Sequence, residues 1–235
     1  MKQATGRTNL HFASKQVSIQ LSLDGHCFSI ADPMFQKGAA ITEKDSLDKG
    51  PVAREEATAA DESVVVEVIT PRTIVVPRAI FSQGGLDLAR AKMLLESDGK
   101  QLLHGEVLRV TEAEDGSVGL VAVPQAAIET IEKRRPGAKL SFTTPLLRGR
   151  PAESTARHSV WIRAVGPHLY IKMWGDDGLR LAEVFPAPTD ADRLYLLERI
   201  ICGYAPNECD LRFAGPEVGE LVKRLRRKYI SVVCE

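Results

Sequence analysis

The stretch QVSIQLSLDGHCFSIAD, residues 16–32, decides how this chain is read. Apolar residues take every second position from Val17 to Leu23, with Ser18, Gln20 and Ser22 between them. A period of two puts one set on each face of a strand. The alternation breaks at Asp24-Gly25 and then resumes. Asp-Gly between two alternating runs is a short-hairpin signal. The stretch therefore predicts a β-hairpin with strands over 17–23 and 26–32. It also raises a question of function: whether Asp24 and Gly25 hold a ligand or only turn the chain.

The bulk composition narrows the classes. The chain has 235 residues, of which 44% are hydrophobic and 26% charged, the balance of an ordinary globular protein. Lys+Arg and Asp+Glu number 31 each, so no global charge excess points to a polyanion partner. The N-terminal MKQATGRTNLHF lacks the apolar run of a secretory signal, and no segment has the length of apolar residues that a membrane span needs. The expectation is a cytoplasmic protein. Cys27, Cys202, Cys209 and Cys234 form no CxxC pair, and neither Cys nor His clusters at metal-ligand spacing. No metal is expected.

Further along, residues 33–62 carry scattered charge without a period, which predicts a long loop. SVVVEVI (63–69) is β-branched and strand-like. TIVVPRAIF follows as a short extended piece interrupted by Pro77. LDLARAKMLLES (86–97) places Leu86, Ala89, Met93 and Leu94 at helical spacing. Residues 101–112 and 117–124 flank a turn at Glu114-Asp115-Gly116 and predict a hairpin. Residues 124–135 predict a helix stopped by Pro136-Gly137, and 138–149 a strand. Residues 156–166, 168–176 and 178–186 predict three strands with tight turns. A helix over 189–202 is capped by Thr189 or Asp190 and carries Leu194, Leu197, Ile200 and Ile201 on one side. A strand over 208–215, a helix over 216–227 and a strand over 228–235 complete the chain. The second half thus runs βββ–α–β–α–β, and the first repeats that order around an insert. No residue-level repeat is visible. A meander followed by alternating helix and strand is the order of the ribonuclease-H-like fold, and two copies in tandem make the actin-like architecture. The prediction is α/β, with one half over 1–150 and a nearly minimal second half over 151–235, packed around a cleft.

SIQLSLDGHCFSI near the start, VVPRAIF, the HSVWI that opens the second half, LYLLERIICGYAPNECDLRFAG and a terminal KYI carry a resemblance as well. With these the chain resembles a bacterial domain-of-unknown-function family of the actin-like ATPase superfamily, over roughly residues 15–233. The resemblance implies the fold and carries no activity with it. The superfamily also holds actin, heat-shock ATPases, sugar kinases and the cytoplasmic scaffold proteins of pilus and secretion systems. Its active members place nucleotide phosphates between two hairpins, one from each half. Here the first hairpin keeps Asp24 and Gly25 but lacks a second Gly and the following Ser/Thr pair. In the second, Arg163-Ala164-Val165-Gly166-Pro167-His168 has no Asp, and Pro167 removes a backbone donor. The adenosine turn is Phe213-Ala214-Gly215-Pro216-Glu217, with Ala214 in place of the first Gly and an acid at a helix start, where an anion is disfavoured. If a nucleotide binds, Asp24, Gly25, Gly166 and Gly215 are the residues that hold it.

Phosphoryl transfer depends on a full set of positioned charges, and all three motifs are incomplete. The leading expectation is a non-catalytic actin-like scaffold or adaptor, with no cofactor and another protein as its partner. The rivals are an ATP-binding protein or slow ATPase using Mg-ATP, and a nucleic-acid-associated protein. The latter would use the basic run Lys223, Arg224, Arg226, Arg227 and Lys228, although a solvated helix face is the favoured account of that run and no aromatic interleaving supports base stacking. His158 and Ser159 are neighbours on a strand and point to opposite faces, which excludes a base–nucleophile pair. Asp176-Asp177-Gly178 reads as a polar turn. Trp161, Tyr170 and Trp174 read as core or sheet face, and as interface anchors if exposed.

Overall fold

The structure is a computed structural model, and it describes residues 16–24, 27–31, 41–42, 63–81, 87–113, 116–151, 156–215, 219–229 and 231–234. The opening stretch forms β1 (Gln16–Asp24) and β2 (Cys27–Ala31), paired antiparallel with Asp24 opposite Cys27. Val17, Ile19, Leu21 and Leu23 are buried, while Ser18 is exposed and Gln20 and Ser22 are half-buried. Within the expected loop over 33–62, Ile41–Thr42 form a short edge strand, β3, against Ser29 and Ile30. The rest of that segment lies outside the described residues.

β4 (Ser63–Ile69) runs parallel to β1, and β8 (Lys139–Thr143) parallel to β4. The first sheet therefore has the order β3-β2-β1-β4-β8. Between β4 and β8 the chain builds β5 (Thr73–Pro77), a 3-10 turn (Arg78–Ile80), α1 (Leu88–Ser97), β6 (Glu106–Glu112), β7 (Ser117–Pro124) and α2 (Gln125–Arg134). These three strands form a separate sheet, β5-β7-β6, which gives the insert its place. Its outer strands stand at sheet edges. After β8 comes a short helix, α3 (Pro145–Arg148). The expected strand over 138–149 stops at Thr143 because Pro145 cannot donate to a ladder and suits the first helical position.

The last sheet has the order β11-β10-β9-β12-β13, from β9 (His158–Val165), β10 (His168–Gly175), β11 (Gly178–Pro186), β12 (Cys209–Ala214) and β13 (Ser231–Cys234). Both five-stranded sheets run third-second-first-fourth-fifth, once the three strands of the insert are passed over. In each, the first three strands are antiparallel and the last two pairings parallel. α4 (Asp190–Ile201) and α5 (Gly219–Leu225) cover one face of the last sheet, where Leu197, Ile201, Leu221, Val222 and Leu225 pack on Val160, Ile162, Leu169 and Ile171. Thr189 caps α4 in a capping box, its Oγ1 accepting the Asp192 N–H while the Asp192 carboxylate accepts the Thr189 N–H. α2 covers one face of the first sheet through Ala127, Ile128 and Ile131.

α1 is turned from the expected face. Ala91 and Leu95 are buried against Val118, Leu120 and Ala122 of β7, Leu94 packs beside them, and Met93 is 61% exposed. Ala89 is also exposed, and Leu86 lies outside the described residues. The helix follows the small apolar face of β7, which an isolated helical period does not reveal. α5 is described over Gly219–Leu225 only, within the predicted 216–227, and a turn follows at 226–228.

The other face of the last sheet packs on the first half of the chain. Trp161, Tyr170 and Val184 meet Ile69, Val75, Leu146 and Leu147 in one apolar core. Trp161 and Tyr170 are therefore core, and Trp174 is half-buried beside them. A Cβ added at Gly149 would lie 2.8 Å from the Trp161 ring and 3.1 Å from Lys172. Gly149→Ala is expected to destabilise the protein by about 1–3 kcal/mol through overpacking. Urea unfolding of the two chains checks this.

Candidate functional site between the two five-stranded sheets

Alternation places Glu67 and Ile69 of β4 on the sheet face opposite Val64, Val66 and Val68, on the same side as Gln20 and Ser22 of β1. In the last sheet the same rule places Trp161, Arg163, Tyr170 and Lys172 opposite the face covered by α4 and α5. These two inner faces look at each other, and their polar residues meet around Glu67.

The Glu67 carboxylate is 4% exposed. Arg163 grips it with two parallel bonds, Nη1 to Oε1 at 2.7 Å and Nη2 to Oε2 at 2.8 Å. Arg148 of α3 adds Nε to Oε1 at 2.7 Å. One carboxylate thus ties β4, α3 and β9. A bidentate guanidinium fork is the geometry that best repays the desolvation of a buried carboxylate. Beside it, the Thr70 N–H donates to Tyr170 Oη at 2.9 Å, and that hydroxyl donates back to the Thr70 carbonyl at 3.3 Å. Burial holds the Tyr170 phenol far above its ordinary pKa of 10.0, with the Thr70 backbone bond opposing and the nearby Glu67 charge adding to the rise. Lys172, fully buried, donates to the Gly149 carbonyl at 3.1 Å and lies 5.0 Å from the Trp174 ring centre.

Of the candidate nucleotide residues, Asp24, Gly166 and Gly215 stand at the carboxyl ends of parallel strands, where open α/β sheets commonly bind ligands. The backbone of Asp24 closes β1, and Gly25 lies outside the described residues. Gly215 follows β12 with φ +88, and a Cβ there would come 4.0 Å from Arg163 Cγ and Nε. Gly215 and Arg163 are therefore brought together. Gly166, φ +54, sits in the β9–β10 turn. Its carbonyl accepts from Arg193 Nη2 at 2.7 Å, while Arg193 Nε reaches the Ala187 carbonyl at 3.2 Å and Nη1 reaches Asp190 at 3.2 Å. The Pro167 carbonyl accepts the Ala187 N–H at 2.8 Å. The turn is tied to the start of α4.

The basic run lies elsewhere. α5 packs on the outer face of the last sheet, so Lys223, Arg224, Arg226 and Arg227 are exposed on the far side of that sheet from Glu67. Lys223 pairs with Glu220 at 2.5 Å and Lys228 with Glu198 at 3.3 Å. His158 is buried against the Tyr204 ring, centroids 3.9 Å apart. Arg180 bonds Asp177 at 2.8 Å and holds its carboxyl below the usual carboxylate range. Among the described residues no group of His, Cys, Asp or Glu is arranged to hold a metal, and no helix is long and apolar enough to cross a membrane.

Glu67, Arg148, Tyr170, Lys172 and Arg193 had no site role in the motif reading, and Arg163 entered it only as part of a turn. The signal for three of them was present: one charge inside each of SVVVEVI, HSVWIRAV and HLYIKMWG. A charge within a buried strand requires a partner.

No family model matches the chain, and no curated protein matches it. Among solved structures it is similar to a Bacteroides thetaiotaomicron protein described as having an actin-like ATPase fold and unknown function. The two are 15% identical, over 98% of this chain and 94% of that one, with a TM-score of 0.59. A PilM-PilN type IV pilus biogenesis complex also matches, at 11% identity over 93% of this chain and 88% of that one, with a TM-score of 0.45. The first likeness shows the fold: this chain has the actin-like ATPase fold.

Two outcomes follow for the inner faces. Glu67→Ala leaves two guanidiniums facing a carboxylate that is gone and is expected to cost about 3–5 kcal/mol, whereas Glu67→Leu with Arg163→Met recovers most of that loss. Urea unfolding of the three chains measures it. Tyr170 keeps its proton in the folded chain at a pH where the unfolded chain releases it. The stability this confers is whole below pH 10.0 and declines as pH rises above that value. Tyr170→Phe should therefore flatten the loss of stability above that pH and leave the native phenolate absorbance unchanged until the chain unfolds.

Proposed function

We propose that this chain is a non-catalytic actin-like scaffold or adaptor that acts by binding another protein. In this reading it consists of two ribonuclease-H-like halves, residues 1–150 and 151–235, and works in the cytoplasm without a cofactor. The recurring strand order of the two five-stranded sheets supports the duplicated halves. The observation that carries the functional reading is the Glu67 cluster. A cleft that handles phosphates needs cationic and N–H donors free to meet an anion. Here Arg163 and Arg148 already hold the protein's own carboxylate. The Gly166 turn is tied down by Arg193, and Pro167 brings no N–H to it.

The rival is nucleotide binding by Asp24, Gly25, Gly166 and Gly215, and the carboxyl-end positions of Asp24, Gly166 and Gly215 favour it. Thermal unfolding with and without millimolar Mg-ATP, on the parent chain and on Asp24→Ala, separates the two. A ligand at about 100 times its Kd adds roughly 2.7 kcal/mol, a shift of several degrees at this size. The scaffold reading expects no shift in either chain. A shift in the parent that disappears in Asp24→Ala would replace the scaffold with an ATP-binding protein.

A further inference from the structure

A cavity of about 560 Å³ lies away from the Glu67 cluster, between β6 and β8. Both strands are sheet edges, one of the three-stranded sheet and one of the first sheet. They face each other without backbone pairing. One tie between them is the Thr111 hydroxyl, which donates to the Phe142 carbonyl. The backbone groups of a strand point alternately to its two sides. Since the Phe142 carbonyl points to the groove, so do the amide of Phe142 and both backbone groups of Leu140, which β4 cannot reach. The floor is apolar, from Ile128 and the Phe142 ring.

One cation is left over. Arg109 of β6 lines the groove with its guanidinium carbon 5.1 Å from the Phe142 ring centre, and its Nε is buried without a hydrogen-bond partner. It pairs with no carboxylate among the described residues. Of the two acids at the rim, Glu112 is bound by Arg78 at 3.2 Å, and Glu132 is exposed on α2. Among the described residues the groove thus offers a strand edge without a paired strand, Ile128 and Phe142 at its floor, and one guanidinium without a carboxylate.

We infer that this groove binds an extended, acidic peptide segment of a partner protein, which adds as a strand to the free edge of β8 and places a carboxylate on Arg109. Strand addition draws affinity from main-chain bonds and specificity from alternate side chains. Thr111 of β6 already sits on the Phe142 carbonyl, so the guest pairs along Lys139–Ser141 and the Phe142 amide, about 10 Å of edge. A small carboxylate would satisfy Arg109 and leave the strand edge unpaired. The inference stands independently of the cleft's capacity for nucleotide.

The probe is a pool of short synthetic peptides of alternating Val and Thr with a central Glu, against the same pool with a central Lys. Binding is read by fluorescence anisotropy, and amide exchange of Leu140 and Phe142 is followed in the complex. The Glu pool should bind, the Lys pool should not, and the two amides should gain protection. Arg109→Gln, which gives up the guanidinium's contact with the Phe142 ring but no ion pair among the described residues, should weaken binding about tenfold or more. N-methylation of alternate peptide amides should abolish it with the protein unchanged. Absence of binding by the Glu pool, equal binding to Arg109→Gln, or binding without protection of the two amides would each overturn the inference. So would full competition by succinate, which would assign the groove to a small carboxylate.

Discussion

The Glu67 carboxylate is the point on which the two sheets are set against each other. A buried charge is tolerated only where its partners are positioned around it, and its partners here come from two other elements. Arg163 must arrive from β9 with both guanidinium nitrogens in the carboxylate plane, and Arg148 from the short helix after β8. A slip of β9 by one residue would turn Arg163 to the α4 and α5 side and bring Ile162 or Ala164 against the charge. The apolar core around Trp161, Tyr170, Leu146 and Leu147 supplies area without direction. The Glu67 fork and the reciprocal Tyr170–Thr70 bonds supply the direction.

Around that point the architecture follows from sheet faces and sheet edges. Each five-stranded sheet gives one face to helices and turns the other inward, and the inner faces carry the polar halves of alternating strands. The three-stranded insert works through its edges. β6 stands beside β8, and β5 stands beside β11, where Lys100 bonds the Thr73 carbonyl at 3.1 Å and Glu183 at 2.8 Å. An edge that is not continued by another strand must be blunted or covered. At β5 the half-buried Lys100 does this. At β6 and β8 no described strand pairs with the edges, which border the groove.

Much of the element order was legible in the chain. The alternation over 17–23, the three strands of 156–186, and the helices over 124–135 and 189–202 follow local periods of two or 3.6, which depend on each residue's own face. The errors arose where a neighbour decides the outcome. Which side of α1 is buried depends on Val118, Leu120 and Ala122 of β7 beneath it. Residues 138–149 look continuous in hydropathy, yet Pro145 ends the strand. The insert's strands read correctly one by one, but pairing them with each other and not with the first sheet is a matter of long-range contact.

The site divides in the same way. The Asp24-Gly25 turn, the Pro167 that deprives the second turn of a donor, and the glycine at 215 are local facts, read from residue type. The single charges in SVVVEVI and HSVWIRAV are local facts as well, which the motif reading passed over, since an ionised group in an apolar strand has to be neutralised by something. The sequence by itself determined that Glu67 and Arg163 would each need a partner. Only the tertiary structure decided that they are each other's. They stand 96 positions apart, and no local period carries information across that distance; the two sheets must form and face each other before the charges meet.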